Sequence, residues 1–599
     1  MCGLHLIINQ QESQSSKPIQ QMMEASTHRG PDQSGWCNPY HGTYMAGNRL
    51  KTLDLGEAAN QPVATPDGKG TLVWNGALYN YQDLRNELLN LGYVFQSQSD
   101  SEVLLFWLHH HGLAGIRRLR GMFSLAYSDL RNKQVIVARD PFGMKPLYYS
   151  KAGESWVFSS ESRPILASGF VKPTFDSHQY HPYFYLRHSL PDRSFYHSIR
   201  QVLPGTALVI DNHGRKVNAI NLNSSEPSIG QPSTQNVKDL LLDAVLTHFH
   251  ADVPVGMILS GGMDSSLLYH LWFKQTGTPL FTFTAGFEKK YKKAYPDASY
   301  SRALASKYHG EHQEVLIRPE EVLANWENYI ADLDQPVGDS AGFLTWMIAK
   351  EAKKKVKILI SGAGADELFG GYNRHKAYIR FLSHPSFWHR IAKLPLRFPP
   401  ALRLLEKLRS SISQDPFLTY LNFASLAPLP EALKQQVWTY FPKNLAPYKS
   451  ALEWDRTVYL VNDILKIHDN ANMAHGIEGR APYIDWPLIR LSSNLPEEMH
   501  REISSKKWLR EILQEEGLSK ITKRKKLGFG LPLKEWIRDH QGFRDYLFRT
   551  LVDFGKSEGG ALPSEMRNMS LNPSLFANTA FLQLWNLFVL ASWKKHHKL

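Results

Sequence analysis

The chain has 599 residues, more than one hydrophobic core usually holds, so at least two domains are expected. Hydrophobic, aromatic and charged fractions of 43%, 12% and 21% exclude wholesale disorder, and near-average glycine and proline exclude fibrous repeats. Two cysteines exclude a disulfide scaffold or a multi-cysteine zinc site, while a net charge of +13 leaves nucleic acid and small anionic substrates to be told apart.

Residues 1–210 read as short strands at Leu4–Ile8, Thr71–Asn75, Phe123–Tyr127, Val135–Ala138, Trp156–Ser159 and Ala207–Ile210, bounded by Gly, Pro, Asn or Asp. Helical periodicity interrupts them at Tyr81–Leu91 and Ser101–Gly112. The mixture predicts a layered α+β domain. The opening MCGLHLIINQ has no basic segment ahead of a long apolar run, and no apolar stretch reaches bilayer length. Neither a signal peptide nor a membrane partner is expected, and a cytoplasmic location is. The polar, Ser/Pro-rich stretch Asn221–Asn236 marks a boundary. The division is then a first domain over 1–210, a linker over 211–235 and a second domain over 236–599.

Past that boundary, strand Val255–Leu259 runs into SGGMDSS and a helix, strand Leu280–Thr284 precedes a helix near Ser301–Tyr308, and strand Val356–Ile360 runs into SGAGADE. Buried strands alternating with helices predict a doubly wound parallel sheet. From about Ala377 the pattern is mainly helical, and LQLWNLFVLASW reads as a packing helix ahead of a solvated KKHHKL tail. Lysine runs at Lys289–Lys293, Lys353–Lys357 and Lys523–Lys526 are scattered and come without a recognition motif, so nucleic acid is not expected as a partner.

Once Met1 is removed, Cys2 carries a thiol and an α-amine of nearly matched pKa, so one residue supplies both nucleophile and base. Taken alone, Cys2 reads first as a small buried hydrophobe. It is followed in order by HRGPD at His28–Asp32, Arg49–Leu50, Gln61–Pro62, NGALYN at Asn75–Asn80, SDSE at Ser99–Glu102 and ARDPFGMKPLYY at Ala138–Tyr149. This ordered set resembles the glutaminase domain of class II glutamine amidotransferases, in particular that of glutamine-hydrolysing asparagine synthetases. The resemblance implies a layered α/β/β/α N-terminal-nucleophile fold with Cys2 as nucleophile. It further implies Asn75 and the Gly76 N–H as oxyanion donors, Arg49 for the glutamine carboxylate and Asp100 for its ammonium. Two departures stand out: Ala77 replaces the usual carboxylate of NGE, and Asn48 the usual histidine before Arg-Leu.

SGGMDSS at Ser260–Ser266 lies between an apolar strand and a helix, where glycines, hydroxyls and a helix N-terminus suit phosphate oxygens. No lysine follows as in a Walker loop. The full motif resembles the pyrophosphate loop of ATP pyrophosphatases. With TFTAGF at Thr282–Phe287, SGAGADELFGGY at Ser361–Tyr372, EGRAPYID at Glu478–Asp485, KKWLR at Lys506–Arg510 and KLGFGLP at Lys526–Pro532, it resembles the asparagine synthetase domain. By that resemblance ATP is held by Leu259, Ser260, Gly261, Gly262, Asp264, Ser265, Ser266, Gly286, Ser361 and Gly362. Asp264 and Asp366 hold Mg2+, and Lys506 stabilises charge on an acyl-adenylate. The implied reaction hydrolyses glutamine, adenylates a carboxylate, aspartate first, and forms an amide with ammonia carried through a shielded passage. A homodimer is implied as well. Ala363, in place of an acidic residue, and Gln335, in place of the glutamate of DEP, are expected near the acceptor and bear on its identity, the alternatives being a sugar acid or natural-product acid as acceptor, or a binding protein that keeps only the fold.

Overall fold

The computed structural model describes residues 2–9, 15–211, 214, 217–222, 232–291, 297–393, 403–524 and 528–599. Within the first 221 residues the described strands are β1 Cys2–Ile8, β2 Gln33–Tyr40, β3 Thr43–Arg49, β4 Val63–Ala64, β5 Gly70–Leu78, β6 Gly121–Asp129, β7 Gln134–Arg139, β8 Tyr148–Ala152, β9 Ser155–Ser159, β10 Arg200–Gln201, β11 Thr206–Asp211 and β12 Val217–Asn221. They form two six-stranded sheets, ordered β10-β8-β9-β1-β3-β2 and β12-β11-β7-β6-β5-β4.

Strand periodicity explains the layering, because alternate residues face opposite sides. Leu4, Leu6 and Ile8 of β1 pack with Met45 of β3, Val73 of β5 and Val137 of β7 in a core between the sheets. Ile7 and Tyr44 point outward to Ile19 and Met22 of helix Lys17–Glu24. On the other outer face, Leu72 and Trp74 meet Leu84, Leu88, Val103 and Trp107 of helices Tyr81–Asn90 and Asp100–His111. The result is a four-layer α/β/β/α sandwich. Each strand expected within residues 1–210 lies within an observed one, and the sequence reading missed β2, β3, β4, β8, β10 and β12. Strand β2 is an edge strand containing Pro39, with a register break between Cys37 and Tyr40, so it shows no clean alternation. Strand β12 lies inside the segment expected to be linker and pairs antiparallel with β11.

The second sheet system is fully parallel: β13 Val255–Ile258, β14 Phe281–Gly286, β15 His312–Leu316, β16 Ile358–Ile360 and β17 Glu478–Arg480, in the order β15-β14-β13-β16-β17. Both faces are covered, since Met257 and Ile258 belong to different buried clusters, as do Ile358 and Leu359. The chain steps one way from β13 to β15, then back past β13 to β16. The crevice at that reversal is where ligands bind in such sheets. Helices dominate afterwards. Helix Phe581–His597 buries Leu584–Lys594, with Phe588 stacked on Trp326 at 4.3 Å. The tail expected to be solvated begins buried instead: Lys594 reaches Tyr180 and Glu558 at 2.7 Å each, while Lys595 and His596 are exposed.

The two sheet systems are clasped by buried polar contacts. The Arg29 guanidinium bonds both Glu161 and Asp469, Ser162 donates to Asp334, and Tyr183 donates to the carbonyl of Asn586. No helix among the described residues is long and apolar enough to cross a membrane.

Candidate functional site

Strand register brings the first group together. Cys2 pairs across from Arg49, and both share the inward parity of Leu4 and Met45. Asn75 shares the inward parity of Val73 on the facing sheet, and its Oδ1 accepts from the Cys2 backbone N at 3.0 Å. The Asn75 amide Nδ2 is buried and has no hydrogen-bond partner among the described residues. Gly76 is required by space, because a Cβ there would stand 2.1 Å from the Met122 carbonyl. Gln61 Nε2 approaches Cys2 Sγ at 3.5 Å. Burial pushes the Cys2 thiol up.

Asp100 opens helix Asp100–His111, capped by Ser99, and its Oδ2 accepts from the Leu78 N–H at 3.1 Å. Burial raises its carboxyl to about 6, against the pull of that N–H. Arg49 is fixed by the Gly56 carbonyl and Asn60 Oδ1, each at 3.0 Å. Cys2, Arg49, Gly76, Ala77 and Asp100 line one cavity of about 270 Å3. Leu246, Thr247 and His250, from and just beyond helix Thr234–Phe249, line it too, together with Arg480 of β17. The sequence reading missed these four. Arg480 holds the end of that helix through the carbonyls of His248 and His250, at 2.7 and 2.8 Å. Asn48, the second departure, pairs with His5, Ser26 and Ser34 behind β1, outside the cavity lining.

The second group sits at the sheet's switch point. Gly261 has φ +63 and Gly262 precedes helix Met263–Thr276, so the loop after β13 turns directly onto a helix N-terminus. Ser265 Oγ accepts from the Ser260 N–H at 3.2 Å, and the buried Ser266 hydroxyl has no partner among the described residues. The loop after β16 lies against it: a Cβ on Gly362 would be 3.1 Å from Asp264 Cβ, and Ser361 N donates to the Arg480 carbonyl at 2.9 Å. Leu259 accepts from Ser301 Oγ, while Gly286 ends β14.

Asp264, Asp366 and Lys506 converge. The Lys506 ammonium stands 2.7 Å from both Asp264 oxygens and 2.7 Å from Asp366 Oδ1. Although burial opposes it, the two carboxylates hold the Lys506 pKa above the ordinary lysine value. Lys506 adopts φ +61 at the start of helix Lys507–Glu515, a left-handed conformation costly for a non-glycine residue. Two hard carboxylates closing on one cationic centre also fit Mg2+. Arg524, which the sequence reading placed only within a scattered basic run, donates to the Ser260 carbonyl at 3.0 Å. Of KLGFGLP, Lys526 and Leu527 lie outside the described residues, as do parts of the runs at 289–293 and 523–526.

The two acceptor-side departures separate. Ala363 follows Gly362 in the loop after β16, its N–H directed at Ser361 Oγ at 3.5 Å. Gln335 contacts the first domain: its amide accepts from Phe195 N at 2.8 Å and donates to Ser162 at 2.7 Å.

A family model for asparagine synthase matches residues 236–595, and one for a glutamine amidotransferase domain matches residues 1–220. The chain belongs to the asparagine synthase family. Glutamine-hydrolyzing asparagine synthetase 1 of Bacillus subtilis (strain 168) is 29% identical over 577 residues, 90% of this chain and 88% of that protein. Synthetase 3 of the same organism is 27% identical over 622 residues, 98% of each. Amidase chry2 of Gibberella zeae is 26% identical, covering 88% of this chain and 87% of its own. The protein is an asparagine synthase-type, glutamine-dependent amidotransferase, and ATP use goes with that family.

Proposed function

We propose that the enzyme takes ammonia from glutamine at Cys2 and delivers it to an acyl-adenylate formed beside Asp264 and Asp366, with aspartate as the leading acceptor and asparagine as product. The observation that carries this reading is the convergence of Asp264 and Asp366 on Lys506 at a phosphate-type loop, in one chain with a Cys2 cavity.

With Met1 cleaved, the Cys2 amine takes the thiol proton, and Sγ attacks the glutamine carboxamide carbon. The Asn75 Nδ2 and Gly76 N–H stabilise the oxyanion. The C–N bond breaks, ammonia leaves with the thiol proton, and water hydrolyses the thioester to glutamate. Arg49 and Asp100 orient the substrate's carboxylate and ammonium.

At the second group, an acceptor carboxylate oxygen attacks the ATP α-phosphorus and pyrophosphate leaves. Ammonia then attacks the acyl carbon, AMP departs and one proton is released. Ser260, Gly261, Gly262, Ser265 and Ser266, with Leu259, Gly286, Ser361 and Gly362 around them, would cradle the nucleotide. Asp264 and Asp366 would hold Mg2+, which neutralises phosphate charge when bound. Lys506 remains within reach to balance charge on the adenylate.

The test is pyrophosphate release from MgATP and ammonium chloride, with and without aspartate, scoring asparagine in parallel. Aspartate-dependent release with matching asparagine is expected. Chelating the metal should stop pyrophosphate release and leave glutamate formation from glutamine intact. A second reading, the same chemistry on another carboxylate, is favoured by Ala363, which puts a methyl in the loop after β16 where the family often has an acid. Pyrophosphate release indifferent to aspartate would select it.

A further inference from the structure

Lys466 is half-buried, but its ammonium is buried and neither group of residues uses it. It begins helix Lys466–Met473, straight after the π-helical stretch Asp455–Leu465. Its ammonium makes no hydrogen bond to any described residue and lies 5.7 Å from the centre of the Tyr148 ring. Two small cavities meet at it. One, of about 20 Å3, is lined by Arg139, Tyr148, Glu161, Asp334 and Asp469; the other, of about 10 Å3, by Asp332, Trp346 and Asn470. The larger has room for one molecule of water's size, which is also the size of ammonia.

These cavities are linked to both groups through the residues around them. On one side Arg29 donates to the Cys2 carbonyl while its guanidinium bonds Glu161 and Asp469 on the cavity wall. On the other side Asp463, three residues before Lys466, is within electrostatic reach of Glu367, the neighbour of Asp366. A space ringed by carboxylates is a natural ammonium trap. Ammonium has no lone pair and does not attack an acyl carbon, so trapping would break the transfer. A lysine ammonium reverses that preference: it donates N–H to the lone pair of neutral ammonia and repels the protonated form.

We propose that Lys466 is a positioning residue for ammonia in transit, seating neutral ammonia between the Cys2 cavity and the Asp264–Asp366 group and excluding ammonium. This rests on the proposed function and adds to it the residue that governs transfer. Burial pulls the Lys466 amine down to about 8, with Asp334 acting to raise it and Arg139 to lower it further. Around it, Glu161 is held well below the usual carboxylate range by His28, Arg29 and Arg163 in spite of burial, while burial raises Asp332 and Asp334. Because the cation is the selective form, transfer weakens as pH rises through about 8.

The experiment measures three quantities on the full enzyme: glutamate from glutamine, pyrophosphate release supported by ammonium chloride, and amide formed per glutamine hydrolysed. For Lys466→Met the first two should stay near the unsubstituted values, while amide per glutamine falls by about fivefold or more. Lys466→Arg, charged throughout, should keep the yield and flatten its decline above pH 8. A Lys466→Met yield equal to that of the unsubstituted enzyme at every pH, with an unchanged melting temperature, overturns the proposal. Should Lys466→Met not fold, the Lys466→Arg profile decides alone, and an unflattened profile overturns it. Failure of the proposed function looks different, because a half-reaction is then missing from the unsubstituted enzyme, and the Lys466 proposal falls with it.

Discussion

Asn75 has its two amide atoms in different employment: Oδ1 accepts from the Cys2 backbone, and Nδ2 is buried with no described partner. A buried amide donor left unpaired costs free energy at rest, which an oxyanion would recover. Asn75→Ala should therefore lower glutamine hydrolysis by roughly 10²–10³-fold and leave ammonia-supported pyrophosphate release unchanged, as steady-state kinetics with each nitrogen donor would show. Asp100 sets a pH limit on the same cavity. Its carboxyl is raised to about 6 by burial, and only the carboxylate attracts a substrate ammonium. The KM for glutamine should rise as pH falls through about 6 while the ammonium chloride reaction does not follow it, and a KM–pH profile checks this. Cys2, Arg49, Asn75 and Asp100 were legible because each sits in a short motif in a fixed order. Thr247, His250 and Arg480 were not, since their place at the cavity depends on how a remote helix docks. The contact of Gln335 with two residues of the first domain was hidden for the same reason, since no local pattern encodes it.

Among elements, the segments that follow β13 and β16 close tightly on one another. A Cβ on Gly371 would stand 2.0 Å from Asp366 Oδ1 and 2.3 Å from Lys506 Cε. Gly371→Ala must push Asp366 and Lys506 apart, and nothing in that clash reaches the Cys2 cavity. Pyrophosphate release should drop by roughly tenfold or more while glutamate formation persists, measured side by side on one preparation. The strands feeding these loops were readable as short apolar runs, because a parallel strand is buried on both faces. Strand β2 was hidden by Pro39 at a sheet edge, β12 by its polar sequence VNAIN, and β17 by its three residues EGR, too short for any period. The π-helical stretch Asp455–Leu465 leaves no sequence mark either, because one added residue per turn is settled by packing.

Across the whole molecule, the clasp between the two sheet systems has a buried ionic centre. Arg29 is fully buried, and its partners Glu161 and Asp469 nearly so. Removing one member of such a group strands charge in a medium that solvates it poorly. Asp469→Ala should cost about 3–5 kcal/mol of stability, visible as a lowered melting temperature, and should uncouple glutamine hydrolysis from amide formation before either half-reaction is lost. The helix Thr234–Phe249 has a related consequence. It begins beyond the residues matched as the amidotransferase domain, yet Leu246 and Thr247 on it, and His250 and Arg480 after it, wall the cavity at Cys2. A fragment cut at residue 220 would keep Cys2, the proposed nucleophile, and lose one side of the cavity around it. Glutaminase here is not a detachable cassette, and grafting the first 220 residues onto another synthetase would transplant a half-built receptor whose selectivity the new host would rewrite.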